Sequence, residues 1–95
     1  MPFPIVRKGV DRTTGHGCYP PTVFSMGSAN TFVNNIPVVR KGDRIRPHCC
    51  TSCHSGSAIG NSCGCLVNNR PLQHVINGVT CGDHSAQGSP NTFAC

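Results

Sequence analysis

Ser28-Ala-Asn-Thr-Phe-Val-Asn-Asn-Ile-Pro37 returns 34 residues later as Ser62-Cys-Gly-Cys-Leu-Val-Asn-Asn-Arg-Pro71, ungapped, with Ser, Val, Asn, Asn and Pro in common. A shortened third copy, Gly88-Ser-Pro-Asn-Thr-Phe-Ala-Cys95, aligns with Gly27-Ser-Ala-Asn-Thr-Phe-Val-Asn34 and stops where the turn belongs. The missing half stands at the other end of the chain, where Pro4-Ile-Val-Arg-Lys-Gly9 matches Pro37-Val-Val-Arg-Lys-Gly42. A fixed period of this size is the mark of a repeated supersecondary unit. Because the repeat is circularly permuted, the strand at Asn91–Cys95 is expected to pair with that at Pro4–Lys8. That pairing would close a ring of three units.

Each unit reads as a β-hairpin. Thr31-Phe-Val33 leads into Asn34-Asn35, and asparagine's tolerance of positive φ suits a tight two-residue turn. Ile36-Pro-Val-Val-Arg40 then returns, its proline confined to a strand start or edge. Three small hairpins leave no room for a deep core. Phe3, Phe32, Val33, Leu66, Val67 and Phe93 are the expected core residues, meeting along one axis. A turn follows each return strand: Gly9-Val10-Asp11, Gly42-Asp43 and, more weakly, Asn77-Gly78.

The fold class expected is therefore all-β, a single domain over residues 1–95. Its core material is thin: four Phe, one Tyr, no Trp, against eleven Gly and eight Pro. No window shows a sustained helical period. A chain this small needs a staple, either disulfides or a metal. Eight cysteines would suit a secreted disulfide scaffold. The N-terminus, however, shows no signal peptide, and no transmembrane segment follows. Synthesis in a reducing cytosol is expected, which favours a metal over disulfides.

The ligands for such a metal sit in register with the repeat. Pro47-His48-Cys49-Cys50-Thr51-Ser52-Cys53-His54 carries thiols and imidazoles, the donors of closed tetrahedral zinc sites. Asp11 precedes His16 by five residues, Asp43 precedes His48 by five, and Asn77 precedes Cys81 by four. Three equivalent loops thus deliver His, His and Cys to one point. His54 is the natural fourth ligand, and His84, three residues after Cys81, is its rival. Four protein ligands leave no open position, which argues for a structural ion over hydrolytic chemistry.

This arrangement resembles the PAAR-repeat family, the proteins that tip the spikes of contractile injection machines. The family's Pro-Ala-Ala-Arg motif stands here as Pro37-Val38-Val39-Arg40 and Pro4-Ile5-Val6-Arg7, and degraded as Pro71-Leu72-Gln73-His74. Thr14-Gly-His-Gly17, Gly42-Asp43 and Thr80-Cys-Gly82 also match, and the likeness covers nearly the whole chain. It implies a small cone of three pseudo-threefold hairpins with zinc near its tip, held by His16, His48, His54 and Cys81. It implies a non-enzymatic role: one copy caps a trimeric spike, either the VgrG protein of type VI secretion or the central spike of a phage tail. The tip would touch the target membrane transiently and would be made in the cytoplasm, then leave with the spike or stand in the virion. The chain departs from the family in its Asn-Asn turns, where Asn-Gly is usual, and in its surplus Cys49, Cys50, Cys53, Cys63 and Cys65. It also lacks the terminal extensions that carry toxins in many members.

The net charge of +5 owes as much to having only three acids as to eight bases. A small zinc-dependent nucleic-acid module is the competing function, although no recognition helix or aromatic stacking strip supports it. No nucleic acid is expected as partner. His74, in the place of Arg7 and Arg40, is expected to be solvated. Cys50 and Cys53 with Cys63 and Cys65 are candidates for a second, all-thiolate site, for disulfides or for free thiols. Cys18 and Cys95 receive no role.

Overall fold

The computed structural model describes residues 2–60 and 63–95; Ser62, the first residue of the second repeat copy, lies outside them. Among the described residues every regular element is a strand, in four antiparallel pairs. Strand β2 (Phe32–Val33) pairs with β3 (Ile36–Pro37), and β6 (Leu66–Val67) with β7 (Arg70–Pro71). Both turns place two asparagines at left-handed φ: 55° and 64° at Asn34 and Asn35, 53° and 63° at Asn68 and Asn69. That is the turn whose twist matches paired strands, and asparagine tolerates it better than any residue except glycine. Strand β1 (Phe3–Pro4) pairs with β8 (Phe93–Ala94), the junction of N- and C-terminal halves that the permuted repeat demands. A fourth hairpin, β4 (His48–Cys49) with β5 (Cys53–His54), belongs to no repeat.

The return segments hold one another through backbone hydrogen bonds that run in a cycle. Val6 N–H donates to the Gln73 carbonyl at 3.0 Å, Gln73 to Val39 at 2.9 Å, and Val39 to Val6 at 3.1 Å. Two residues further along, a second cycle runs in the opposite sense, from Lys8 to Pro37, Lys41 to Pro71 and Val75 to Pro4, at 2.8–2.9 Å. Val6, Val39 and Gln73 are completely buried. Gln73 replaces a valine here, and its side chain is fully bonded: Nε2 donates to Ser85 Oγ at 2.8 Å and to the Asn77 and Gly78 carbonyls, while Oε1 accepts from Gly60 N–H at 2.9 Å.

The core departs from the expected one. Phe32, Leu66 and Phe93 are 54%, 58% and 49% exposed, and only Val33 and Val67 of the six candidates are buried. The period-two pleat explains this, because Phe32 and Leu66 neighbour those valines and must point the opposite way. Burial falls instead on Ile5, Val33, Val38, Val67 and Leu72 beneath the hairpins, and on Val6, Phe24, Val39, Ile45, Ala58 and Val79 on the side where Cys81 packs. His74 is also buried, contrary to the expected solvated side chain: its ring stacks on Phe3 at 4.6 Å and its Nδ1 lies 2.8 Å or less from a carbonyl, 2.7 Å from Val75 O. Having lost the arginine, this unit fills the space with an aromatic pair.

The turns after the return segments are built alike. Asp11 Oδ2 accepts from Arg7 N–H at 2.8 Å, Asp43 Oδ2 from Arg40 N–H at 2.8 Å, and Asn77 Oδ1 from His74 N–H at 2.9 Å. Arg7 and Arg40 add guanidinium forks to the same carboxylates. Gly9 and Gly42 supply the positive φ, 77° and 91°, and in the third unit that duty falls on Ile76, at 77°. The left-handed residue of the third unit thus directly precedes the Asn77-Gly78 pair. A branched side chain there costs about 1–2 kcal/mol, and Ile76 is 58% exposed and recovers little by burial. Ile76→Gly is expected to stabilise the protein by about 1 kcal/mol, raising the melting temperature by about 4–8 °C. A lowered melting temperature in calorimetry would contradict this account of the turn.

Candidate metal centre

Three chain segments meet at one cluster of histidines and a cysteine. His16 opens a tight turn closed by hydrogen bonds in both directions with Tyr19, at 3.1 and 2.9 Å. Gly15 makes this possible: its φ is 74°, and a Cβ there would stand 2.7 Å from the Tyr19 carbonyl oxygen. Hairpin β4–β5 sets His48 directly opposite His54. Cys81 comes from the turn after Val79, where Gly82 N–H donates back to the Val79 carbonyl at 2.9 Å.

The donor atoms of His16, His48, His54 and Cys81 all lie within 4.8 Å of one another. The three Nε2 atoms are closer still, at 3.3 Å for His16–His48, 3.0 Å for His16–His54 and 2.8 Å for His48–His54. His48 Nδ1 lies 2.8 Å from the Pro20 carbonyl oxygen. Donation of that N–H leaves its Nε2 lone pair facing the cluster, as in metal-ligating histidines. Converging lone pairs repel unless a proton or a cation sits between them. His54 has its pKa lowered, first by burial and then by the neighbouring His48 and His16. Its neutral, ligating form is therefore favoured. Its share of stability is complete above an ordinary histidine pKa of about 6.5 and is lost as pH falls below it.

Two surrounding residues complete the site, and the sequence did not flag either. The Tyr19 ring covers the cluster, 4.0 Å from the His54 ring and 5.0 Å from that of His16. Asp83 is fully buried two residues past Cys81. Its Oδ1 accepts from Thr14 Oγ1 at 2.9 Å and from His84 N–H at 2.7 Å, while Oδ2 has no hydrogen-bond partner among the described residues. Burial alone would raise this carboxyl, but the Thr13 hydroxyl, the His84 amide, the Thr14 hydroxyl and the charge of His48 outweigh it and hold the pKa low. A buried anion whose charge acts on His48 and His54 has the sign needed to balance a divalent ion with one thiolate ligand. The donor set and its surroundings thus fit a bound metal ion.

His84, the rival ligand, is exposed and bridges to Gly78, outside the cluster. The cysteines correct the expectation that a metal is favoured over disulfides, because three disulfides stand alongside the candidate metal cluster. Cys18–Cys50 ties the His16 turn to the β4–β5 loop, Cys49–Cys53 clamps that hairpin, and Cys63–Cys95 lies among the repeats. Cys50 and Cys53 therefore share no site with Cys63 and Cys65. No protein-family model matches the chain, and no curated protein matches it.

Oxidised protein purified without chelator is expected to carry one equivalent of metal by elemental analysis. His48→Ala should lose most of it and melt at a lower temperature, since binding and folding energy are shared in such sites. Cys65→Ser should keep the full equivalent. Metal retained in His48→Ala would remove these residues as ligands.

Proposed function

We propose that this chain is a structural, non-enzymatic spike tip, a zinc-pinned cap seated as one copy on a threefold partner. The observation that carries the reading is the internal threefold of a single chain. The return segments bond in a cycle, and each unit offers one exposed apolar residue opposite a proline: Phe32 opposite Pro37, Leu66 opposite Pro71, and Phe93 opposite Pro4. Three equivalent apolar contacts suit the blunt end of a trimer, which one polypeptide without such symmetry would meet poorly. Junction of β1 with β8 closes the ring in this reading, and the metal end is the point of the cone. The partner is a trimeric spike of the kind that VgrG proteins or phage central spikes provide, and the machine delivers the tip against a membrane.

Zinc suits the donor set. Zn–N bonds of about 2.0–2.1 Å in a tetrahedron place nitrogens about 3.3 Å apart, and the Nε2 separations run from 2.8 to 3.3 Å. Three imidazoles and a thiolate close the shell, so the ion would serve as a staple. Tying loops that carry little core to one point is what a tip under load requires.

The nucleic-acid reading keeps one supporting observation. Asp11, Asp43 and Asp83 are all buried and bonded internally, while Lys8, Arg12, Lys41, Arg44 and Arg46 are exposed. It lacks a stacking surface, since Tyr19 lies on the histidines.

Mixed with a candidate trimeric spike, the protein should co-elute at one copy per trimer, as measured by light scattering. Phe32→Glu with Phe93→Glu should abolish that binding and leave metal content unchanged. Three copies per trimer, or unimpaired binding of the double variant, would count against the cap. Binding to a generic oligonucleotide that weakens steeply with salt would favour the alternative.

A further inference from the structure

Three sulfur atoms meet where the third hairpin begins. Cys63 and Cys65 flank Gly64 just before β6, Cys95 follows β8, and the three Sγ atoms lie within 4.8 Å of one another. In the oxidised structure Cys63 and Cys95 are joined, with Cys65 as a thiol beside them. A disulfide needs two sulfurs, yet packing holds a third against the pair. Cys65 is half-buried against the cluster of Ile5, Val33, Val38, Val67 and Leu72, and its carbonyl accepts from Leu72 N–H at 3.1 Å. Gly64, at φ 93°, turns the chain sharply between the two cysteines.

We propose that, once reduced, Cys63, Cys65 and Cys95 form a second metal site, an all-thiolate one for a soft ion such as Cu(I). Thiolates without imidazole or carboxylate select soft ions over hard ones. Metal–sulfur bonds of about 2.3 Å set three sulfurs about 4 Å apart in a trigonal plane, within the span that the structure provides. On binding, the thiol protons pass to solvent and the ion keeps its oxidation state. The ion would then hold the end of β8 to the start of β6, as the disulfide does in the oxidised chain. The donors differ in kind from those of the histidine centre, and the site does not depend on the spike reading.

The test uses the full-length chain, loaded at the histidine centre, reduced with a phosphine and titrated anaerobically with Cu(I) against a chromogenic chelator. Wild type should hold one Cu(I) against the competitor, and oxidised wild type should hold none. Cys65→Ser should bind at least tenfold more weakly, and Cys50→Ser, which alters the other thiol group freed by reduction, should bind like wild type. Retained metal at the histidine centre reports that each variant is folded. If Cys65→Ser binds as tightly as wild type, if Cys50→Ser is the variant that loses copper, or if reduced wild type holds no copper, the proposal fails. Alkylation of unmutated protein gives a check free of substitutions. Cu(I) should shield Cys63, Cys65 and Cys95 in peptide mass spectra, and alkylation of all three at the copper-free rate would overturn the site.

Discussion

The cycle of hydrogen bonds among Val6, Val39 and Gln73 is the constraint from which the rest of the molecule follows. A backbone group buried away from water has to be paired, and here each return segment takes its partner from the segment before it. None of the three can be satisfied alone. The net stabilisation from each bond is only about 1 kcal/mol, but leaving a buried group unpaired costs more. The cycle thus acts less as a source of energy than as a rule that all three units form together. It also forces the chain to bring its two ends side by side, because the first return segment and the last strand belong to one unit.

Stacked on that cycle are side chains that each unit supplies in its own way. Asp11 and Asp43 fix the turns through backbone N–H groups and arginine forks, and the third unit does the same with Asn77 and no arginine. Asp83, outside these turns, is buried as well, so all three acidic side chains of the chain are drawn inward. Lys8, Arg12, Lys41, Arg44 and Arg46 are exposed, so the surface presents more positive character to a partner than the modest net charge of +5 suggests. The three-unit plan is imperfect in its polar details and regular in its backbone.

Much of this was legible in the sequence because repetition translates directly into backbone geometry. The Asn-Asn turns, the junction of the two ends and the convergence of His16, His48 and Cys81 follow from aligning the chain with itself, and His54 from the central loop, outside the repeat. Side-chain direction was not legible. Phe32, Leu66 and Phe93 are the bulkiest residues of their strands, yet two-residue strands bury only alternate positions, and the valines took the inside. His74 was judged by the arginines it replaces, although its ring is buried and stacked on Phe3. Tyr19 and Asp83 carry no spacing signal, since covering a cluster and balancing its charge are spatial roles. Disulfides stood among the alternatives for Cys50, Cys53 and Cys63, but their pairing did not, because Cys18 and Cys95 lie 32 residues from Cys50 and Cys63 and no pattern of spacing reveals connectivity.

The hairpins and the histidine cluster are stabilised by different means. In the hairpins, Val33, Val67 and Leu72 form a small apolar layer, and Ser28 and Ser89 hydroxyls bond Asn68 and Asn34 of neighbouring units at 2.7 Å. Around the histidine cluster, Gly15 lets its turn close tightly on the Tyr19 carbonyl, and Val6, Phe24, Val39, Ile45, Ala58 and Val79 pack against Cys81. Cross-links add to that order. Cys18–Cys50 and Cys49–Cys53 restrict where the loops can go, which lowers the entropy to be lost on folding. They do not by themselves hold the imidazole nitrogens together, however, and a cation is what gives converging Nε2 lone pairs a favourable reason to stay together. Disulfides and ligands thus divide the task around the cluster, the former confining the backbone and the latter fixing the side chains, while the hydrogen-bond cycle keeps the cluster attached to a body with a core of its own.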